Sequence, residues 1–187
     1  MLEPSWFARP AVEVAPDLLG CTLVRAIAGT TYRGVIVETE AYDATDPACH
    51  GYKRQTPRNQ AIFGEPGSLY VYLIYGVYHC VNIVSDRANY CSGVLLRALE
   101  LEQIPDWVDA KVPRSRVAAG PGKLCRTLQI DRRLNGLPLG ASSGIWLEAQ
   151  PPGLSLNLVQ TTRIGLSQGT ELPWRWYVDR HPAVSKF

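Results

Sequence analysis

Leu69-Tyr70-Val71-Tyr72-Leu73-Ile74-Tyr75-Gly76-Val77-Tyr78-His79-Cys80-Val81-Asn82-Ile83-Val84 is an aromatic, β-branched run with one glycine near its middle. Tyrosine, valine and isoleucine fit a pleated, half-buried surface. Gly76 supplies a tight reversal, so 68–84 reads as a hairpin of two strands, 68–75 and 77–84. Outward from it, alternation and β-branched content predict further strands near 21–27, 33–42, 93–99, 144–149 and 175–178. Helical patterns are fewer and shorter: 15–20, 57–63 and 121–130. The last opens on Gly120-Pro121-Gly122, and a proline early in a helix loses nothing by lacking an N–H. Segment 100–119, with two prolines and weak periodicity, reads as a loop with one ill-defined helical turn. Strands that follow one another without long helices between them argue for an α+β domain. The expected fold is therefore a single domain over 1–187: a curved, mainly antiparallel sheet, a protruding β-hairpin and surrounding short helices.

A chain of 187 residues is long enough to bury a sizeable core. Its 46% hydrophobic and 19% charged residues exclude the composition of a disordered chain. No apolar run approaches the ~20 residues of a membrane helix. Met1 to Pro10 lacks the basic-then-apolar order of a signal peptide, so a cytoplasmic protein is expected. The five cysteines are odd in number and contain no CxxC, which predicts free, mostly buried thiols. Charge is uneven along the chain. Residues 1–50 hold three Lys/Arg against seven Asp/Glu, whereas 114–133 hold six basic residues against Asp131 alone. A polyanionic partner is compatible with that distribution, as is a solvated basic face.

Side chains alternate across a strand, so Glu38, Glu40 and Tyr42 share one face of 33–42, and Val35, Val37 and Ala41 supply a core-facing side. A carboxylate beside a phenol can act as a general base against an aromatic wall; the blander reading is an edge strand with two solvated glutamates. Tyr75 precedes the turning Gly76, at a hairpin tip where a ring is poorly buried but well placed to enter a partner. His50, with Cys49 and the pair His79-Cys80, has zinc-ligand chemistry. Adjacent residues on a strand point to opposite faces, however, so no metal is expected, nor any other cofactor. Gly120-Pro121-Gly122-Lys123 lacks the length of a phosphate loop, but could hold one backbone phosphate at a helix start. Carboxylates, flat ring faces and guanidinium groups together are the parts needed to hold a base beside a nucleic-acid backbone.

With these residues assembled, the chain resembles the alkyladenine (3-methyladenine) DNA glycosylase family. The resemblance is carried by Val37-Glu38-Thr39-Glu40-Ala41-Tyr42, Arg54-Gln55-Thr56-Pro57-Arg58-Asn59, Leu69 to Gly76, Cys80-Val81-Asn82, Leu95-Leu96-Arg97-Ala98-Leu99-Glu100 and Gly120-Pro121-Gly122-Lys123-Leu124-Cys125, and it spans roughly residues 5–180. It implies that Glu40 is the general base that activates water, and that Tyr42, His50 and Tyr72 sandwich an everted base. It further implies that Tyr75 fills the gap left in the duplex and that Asn82 screens the purine edge. Leu95 and Arg97 fall on one strand face, as pocket contacts do in that family, and Arg54, Arg58, Lys123 and Arg163 are expected phosphate contacts. Val77 stands where a methionine is common beside the wedge, and 101–119 matches poorly. The absence of a long N-terminal extension suggests a minimal catalytic domain.

The implied activity is that of a monomeric, monofunctional hydrolase acting on damaged double-stranded DNA, leaving an abasic site. Two other readings use the same residues: a DNA- or RNA-binding module without chemistry, and an enzyme acting on a small nucleoside or acyl substrate.

Overall fold

In the computed structural model, which describes residues 1–186, eight strands join in one curled antiparallel sheet. They are β1 (Thr22–Ile27), β2 (Thr30–Asp43), β3 (Leu69–Ile74), β4 (Tyr78–Val84), β5 (Ser92–Leu101), β6 (Ile145–Glu148), β7 (Leu158–Thr161) and β8 (Arg175–Val178). The order across the sheet is β3-β4-β5-β2-β1-β6, and β8 joins β2 to β7. The expected α+β architecture is what the chain adopts.

β2 organises the sheet. One of its edges runs along β5 from Gly34 to Asp43, while the other pairs with β1 up to Val35 and with β8 from Glu38. The changeover coincides with a bulge, because the register with β5 shifts on either side of Glu38. A bulge inserts a residue and re-aims the side chains beyond it. Ile36 therefore lies in the main core before the bulge, and Ala41 lies in it beyond. Thr39, on the same side as Ala41, is tied by its hydroxyl to the carbonyl of Ala15 at 2.8 Å. This corrects the expected facing: Val37 packs in a separate cluster with Ala98, Ala183 and Val184, and Ile36 takes the place in the main core that simple alternation gives to Val35 and Val37.

Two short helices cover the core side, α1 (Ala11–Asp17) against β2 and β5, and α2 (Pro121–Thr127) against β4 and β5. Both differ from expectation. α1 starts four residues before the predicted 15–20, with the Pro10 carbonyl accepting from the Glu13 and Val14 N–H groups, and Pro16 lacks the N–H needed to continue it. α2 ends at Thr127 rather than 130. Gly122 sits under Tyr78, where a Cβ would come within 3.1 Å of the Tyr78 Cβ, so glycine lets α2 approach the hairpin. The helix predicted at 57–63 is only a 3-10 turn, Gln60–Phe63. Asn59 explains this: its side-chain oxygen accepts from the Thr56 N–H (2.6 Å) and hydroxyl (2.9 Å), which competes with helical bonding.

Segment 100–119 begins inside β5, which runs to Leu101, and beyond it behaves as a loop with a 3-10 turn, Arg114–Arg116. β7 was not anticipated; its Leu-Val-Gln-Thr sequence lies at a half-exposed edge with no apolar periodicity. All five cysteines are free and buried. Among the described residues no helix is long and apolar enough to cross a membrane, and no group of three or more His, Cys, Asp or Glu residues could hold a metal ion.

Candidate active site

Opposite the helices, alternate residues of four strands converge. β2 contributes Glu40 and Tyr42, β3 Tyr70 and Tyr72, β4 Asn82, and β5 Leu95 and Arg97. Register places Glu40 across from Leu95, and Leu95 across from Asn82. Their odd- or even-numbered neighbours Ala41, Val71, Val81, Ile83, Val94 and Leu96 all lie in the main core. The period of two thus sorts packing from chemistry strand by strand.

The site's cavity, about 190 Å³, is lined by Tyr42, His50, Tyr72 and Asn82, all four expected, and by Cys49, Tyr70 and Leu166, which were not. His50 accepts or donates at Nδ1 to the Tyr70 hydroxyl at 2.8 Å and meets Tyr72 edge-on, with centroids 4.5 Å apart. The Tyr70 and Tyr72 rings lie 5.3 Å apart. Asn82 donates to the Tyr70 carbonyl at 3.2 Å, which fixes its amide. Withdrawal from water, with the Arg58 charge nearby, holds the His50 pKa below the ordinary histidine value. Burial, and then the Glu40 charge, push the Tyr42 phenol well above its usual value, so it remains a donor.

Glu40 is fully buried and stands directly behind Tyr42. Its Oε2 accepts from the Tyr42 hydroxyl at 2.8 Å and lies 3.2 Å from Arg97 Nη1. Its Oε1 accepts from the Ile164 N–H at 2.9 Å, next to Gly165 and Leu166 of the cavity wall. Arg97 in turn is held by Glu38, whose Oε1 also accepts from Arg175 and from the Ser185 hydroxyl. Burial acts to raise the Glu38 pKa, but Arg97, Ser185 and Arg175 prevail and hold it below the usual glutamate value. Neither glutamate is solvated, so the edge-strand reading of β2 fails. Leu95 and Arg97 sit beneath the cavity rather than in its lining: Leu95 is buried against the sheet, and Arg97 supports the carboxylate.

A second recess of about 370 Å³ shares His50, Tyr72 and Ile74 with the cavity and runs out to Tyr75 and Gly76. Arg58 and Arg132 border it. Arg132 was not singled out in the sequence; only its place in the basic stretch 114–133 hinted at it. Arg54 and Lys123 are exposed. Asn59 ties the loop that carries Arg54 and Arg58 to the site, donating to the His50 and Arg54 carbonyls at 2.7 and 3.0 Å. Tyr75 is 82% exposed at the hairpin tip.

Arg163 departs from expectation. Its guanidinium is sealed from solvent and pairs with Asp46, donates to the carbonyls of Ala41 (2.9 Å) and Gly169 (3.1 Å), and stacks 4.6 Å from the Tyr42 ring centroid. A phosphate cannot reach it, so it is a strut behind the aromatic wall and not a backbone contact.

The pattern of the methylpurine-DNA glycosylase family matches residues 5–182. A protein of Trichodesmium erythraeum, provisionally named a 3-methyladenine DNA glycosylase, is 53% identical over all of this chain and 98% of its own length. Proteins with the same provisional name in Synechococcus elongatus and Methanocella arvoryzae are 54% and 42% identical, again over the whole of this chain, covering 93% and 96% of their lengths. On the match across nearly its full length, the chain belongs to the methylpurine-DNA glycosylase family.

Proposed function

We propose that this protein, a DNA glycosylase by family, draws alkylated or deaminated purines out of duplex DNA and hydrolyses the N-glycosidic bond, leaving an abasic site. The observation that carries this reading is the junction of cavity and carboxylate: Tyr42 forms a wall of the cavity, and its hydroxyl is bonded to Glu40.

Extruding a nucleotide costs a few kcal/mol, least for a damaged or mispaired base. The exposed Tyr75 ring offsets part of that cost by occupying the vacated stack. The cavity is small beside sites for drug-sized ligands, which suits a single base with its sugar left in the outer recess. Stacking on aromatic faces contributes ~1–3 kcal/mol per base. A purine made cationic by alkylation gains further from the electron-rich faces of Tyr42 and Tyr72. Arg58 and Arg132 border the recess where the sugar–phosphate would rest, with Arg54 and Lys123 reaching backbone further along.

Glu40 then accepts a proton from water as the water oxygen bonds to the sugar C1′ and the C1′–N electron pair leaves with the base. A carboxylate has about four lone-pair sites. Three are occupied by Tyr42, Arg97 and Ile164, and the fourth takes the water. Among the described residues no lysine lines the cavity or the recess, which favours direct hydrolysis over a Schiff-base route. The protein acts as a monomer on damaged double-stranded DNA and needs no cofactor.

The test is Glu40→Gln assayed on duplexes carrying an alkylated or deaminated purine. Excision should fall at least about 10²-fold, while DNA affinity changes by less than about twofold. Equal loss of both would refute the role of Glu40, and a wild-type protein that binds without releasing free base would make it a binding module.

A further inference from the structure

Two thiols meet behind one wall of the cavity. The sulfurs of Cys49 and Cys91 are 2.9 Å apart, inside the contact distance of two sulfur atoms, and both cysteines are free. Cys49 lines the cavity beside His50, whereas Cys91, just before β5, is fully sealed from solvent. Gly51 makes the approach possible, since a Cβ there would fall 2.2 Å from the Cys91 sulfur. The turn that carries Cys49 and His50 is thereby pressed onto Cys91. The base-excision chemistry proposed above uses neither thiol.

The surroundings divide the pair's protons unequally. The contact between the two sulfurs lowers the Cys91 pKa and raises that of Cys49, and the Gly51 N–H lowers Cys91 further. The other thiols are ordinary by comparison: burial raises Cys21 to about 11 and raises Cys80 and Cys125 as well.

We infer that Cys49 and Cys91 are a redox-active dithiol, a modification site in the cavity wall that a small hydroperoxide entering the cavity converts to a disulfide. In the first step Cys49 passes its proton to the adjoining Cys91 sulfur and the resulting thiolate attacks the peroxide; the O–O bond breaks, Cys49 becomes a sulfenic acid, and RO⁻ takes a proton from water to leave as ROH. In the second the Cys91 sulfur displaces the sulfenic oxygen, the S–S bond forms, and the oxygen departs as water with the Cys91 proton. Two electrons pass from the two sulfurs to the peroxide. Closure draws the sulfurs together by about 0.9 Å. That displaces the turn of Ala48, Cys49 and His50 relative to Tyr70 and Tyr72, and a misplacement of about 1 Å in a site can cost on the order of 10²-fold in rate. A base in the cavity covers Cys49, so the enzyme is open to this modification only between substrates.

The thiol chemistry stands apart from the base-excision reading, whereas its effect on rate rests on it. The test treats the reduced full-length protein with hydrogen peroxide, then follows intact mass, thiol count, peptide linkage and excision from alkylated duplex DNA. Two of the five thiols should disappear with loss of two hydrogens, in a peptide joining Cys49 to Cys91. Excision should fall at least about tenfold and return with dithiothreitol. Cys91→Ser should instead accumulate a dimedone-reactive sulfenic acid at Cys49. The inference is overturned if all five thiols survive, if another pair becomes linked, or if the disulfide form excises at the reduced rate. A reduced protein with no excision at all would count against the base-excision reading alone, and the thiol count would still decide the dithiol.

Discussion

Arg163 and Glu40 show how far a residue's neighbours decide its work. Both are buried, yet Glu40 is bonded to Tyr42 and Ile164, which border the cavity, while Arg163 spends its donors on Asp46, Ala41 and Gly169. Its Nε alone has no partner among the described residues, and it lies against the Tyr42 ring. Replacing Arg163 with Met leaves the Asp46 carboxylate buried without its cation, which costs about 3–5 kcal/mol. The expected outcome is a fall in Tm of roughly 10 °C by calorimetry, with no change in the salt dependence of DNA binding. A surface phosphate contact would give the reverse pattern. No local feature of the Thr-Thr-Arg-Ile stretch distinguishes these roles, because the partner that settles the matter is 117 positions away.

At the scale of elements, the hairpin and β2 carry the site in different ways. Tyr75 and Gly76 both take left-handed backbone angles, φ 52° and 72°, with the Val77 N–H bonded to the Ile74 carbonyl at 3.3 Å. Positive φ at both central residues suits the twist of an antiparallel hairpin, but for a side-chain-bearing residue it costs ~1–2 kcal/mol. Strain kept at an exposed tip points to use. Tyr75→Gly should therefore leave the melting temperature level or higher while excision from duplex DNA falls at least about tenfold, the loss being smaller on single strands, where no stack has to be filled. A drop in stability equal to the drop in rate would refute the assignment. In β2, the bulge at Glu38 brings β8 and the segment Val184–Ser185 onto the carboxylate: Ser185 donates to it twice, and Arg116 holds the Val184 and Ser185 carbonyls. Because the folded pKa of Glu38 lies below its unfolded value, the stability it adds is complete above the ordinary glutamate range and drains away as pH falls through the lower folded value. Urea unfolding at stepped pH should show the wild type losing stability over that acidic interval, whereas Glu38→Gln, already destabilised near neutrality, should show a flatter profile.

Over the whole molecule, the cavity shares its wall with the outer recess and the recess reaches the hairpin tip, with Arg58 and Arg132 at the recess and Arg54 and Lys123 exposed on the surface. Each guanidinium that neutralises a phosphate contributes ~0.9 to the slope of log affinity against log salt. Arg58→Ala and Arg132→Ala should each lower that slope by about this amount when measured by fluorescence anisotropy, leaving excision at saturating enzyme nearly unchanged. A slope that does not move would remove either residue from the interface. What the sequence determined by itself was the antiparallel sheet, the hairpin with its exposed tyrosine, and the grouping of Glu38, Glu40 and Tyr42 on one face, since all of these follow from turn chemistry and the two-residue period of a strand. The shortening of the predicted 57–63 helix to a 3-10 turn, the start of α1 and the edge strand β7 were not legible, because side-chain bonding at Asn59, a capping proline and a half-exposed edge override local periodicity. The tertiary structure alone decided that Ile36 rather than Val37 enters the main core, that Arg163 is sealed behind Tyr42, that Arg132 joins Arg58, and that Cys49 touches Cys91. Each is a meeting of segments far apart in the chain or of a strand with its bulge, and sheet register, not the order of neighbouring residues, sets which side chains come together.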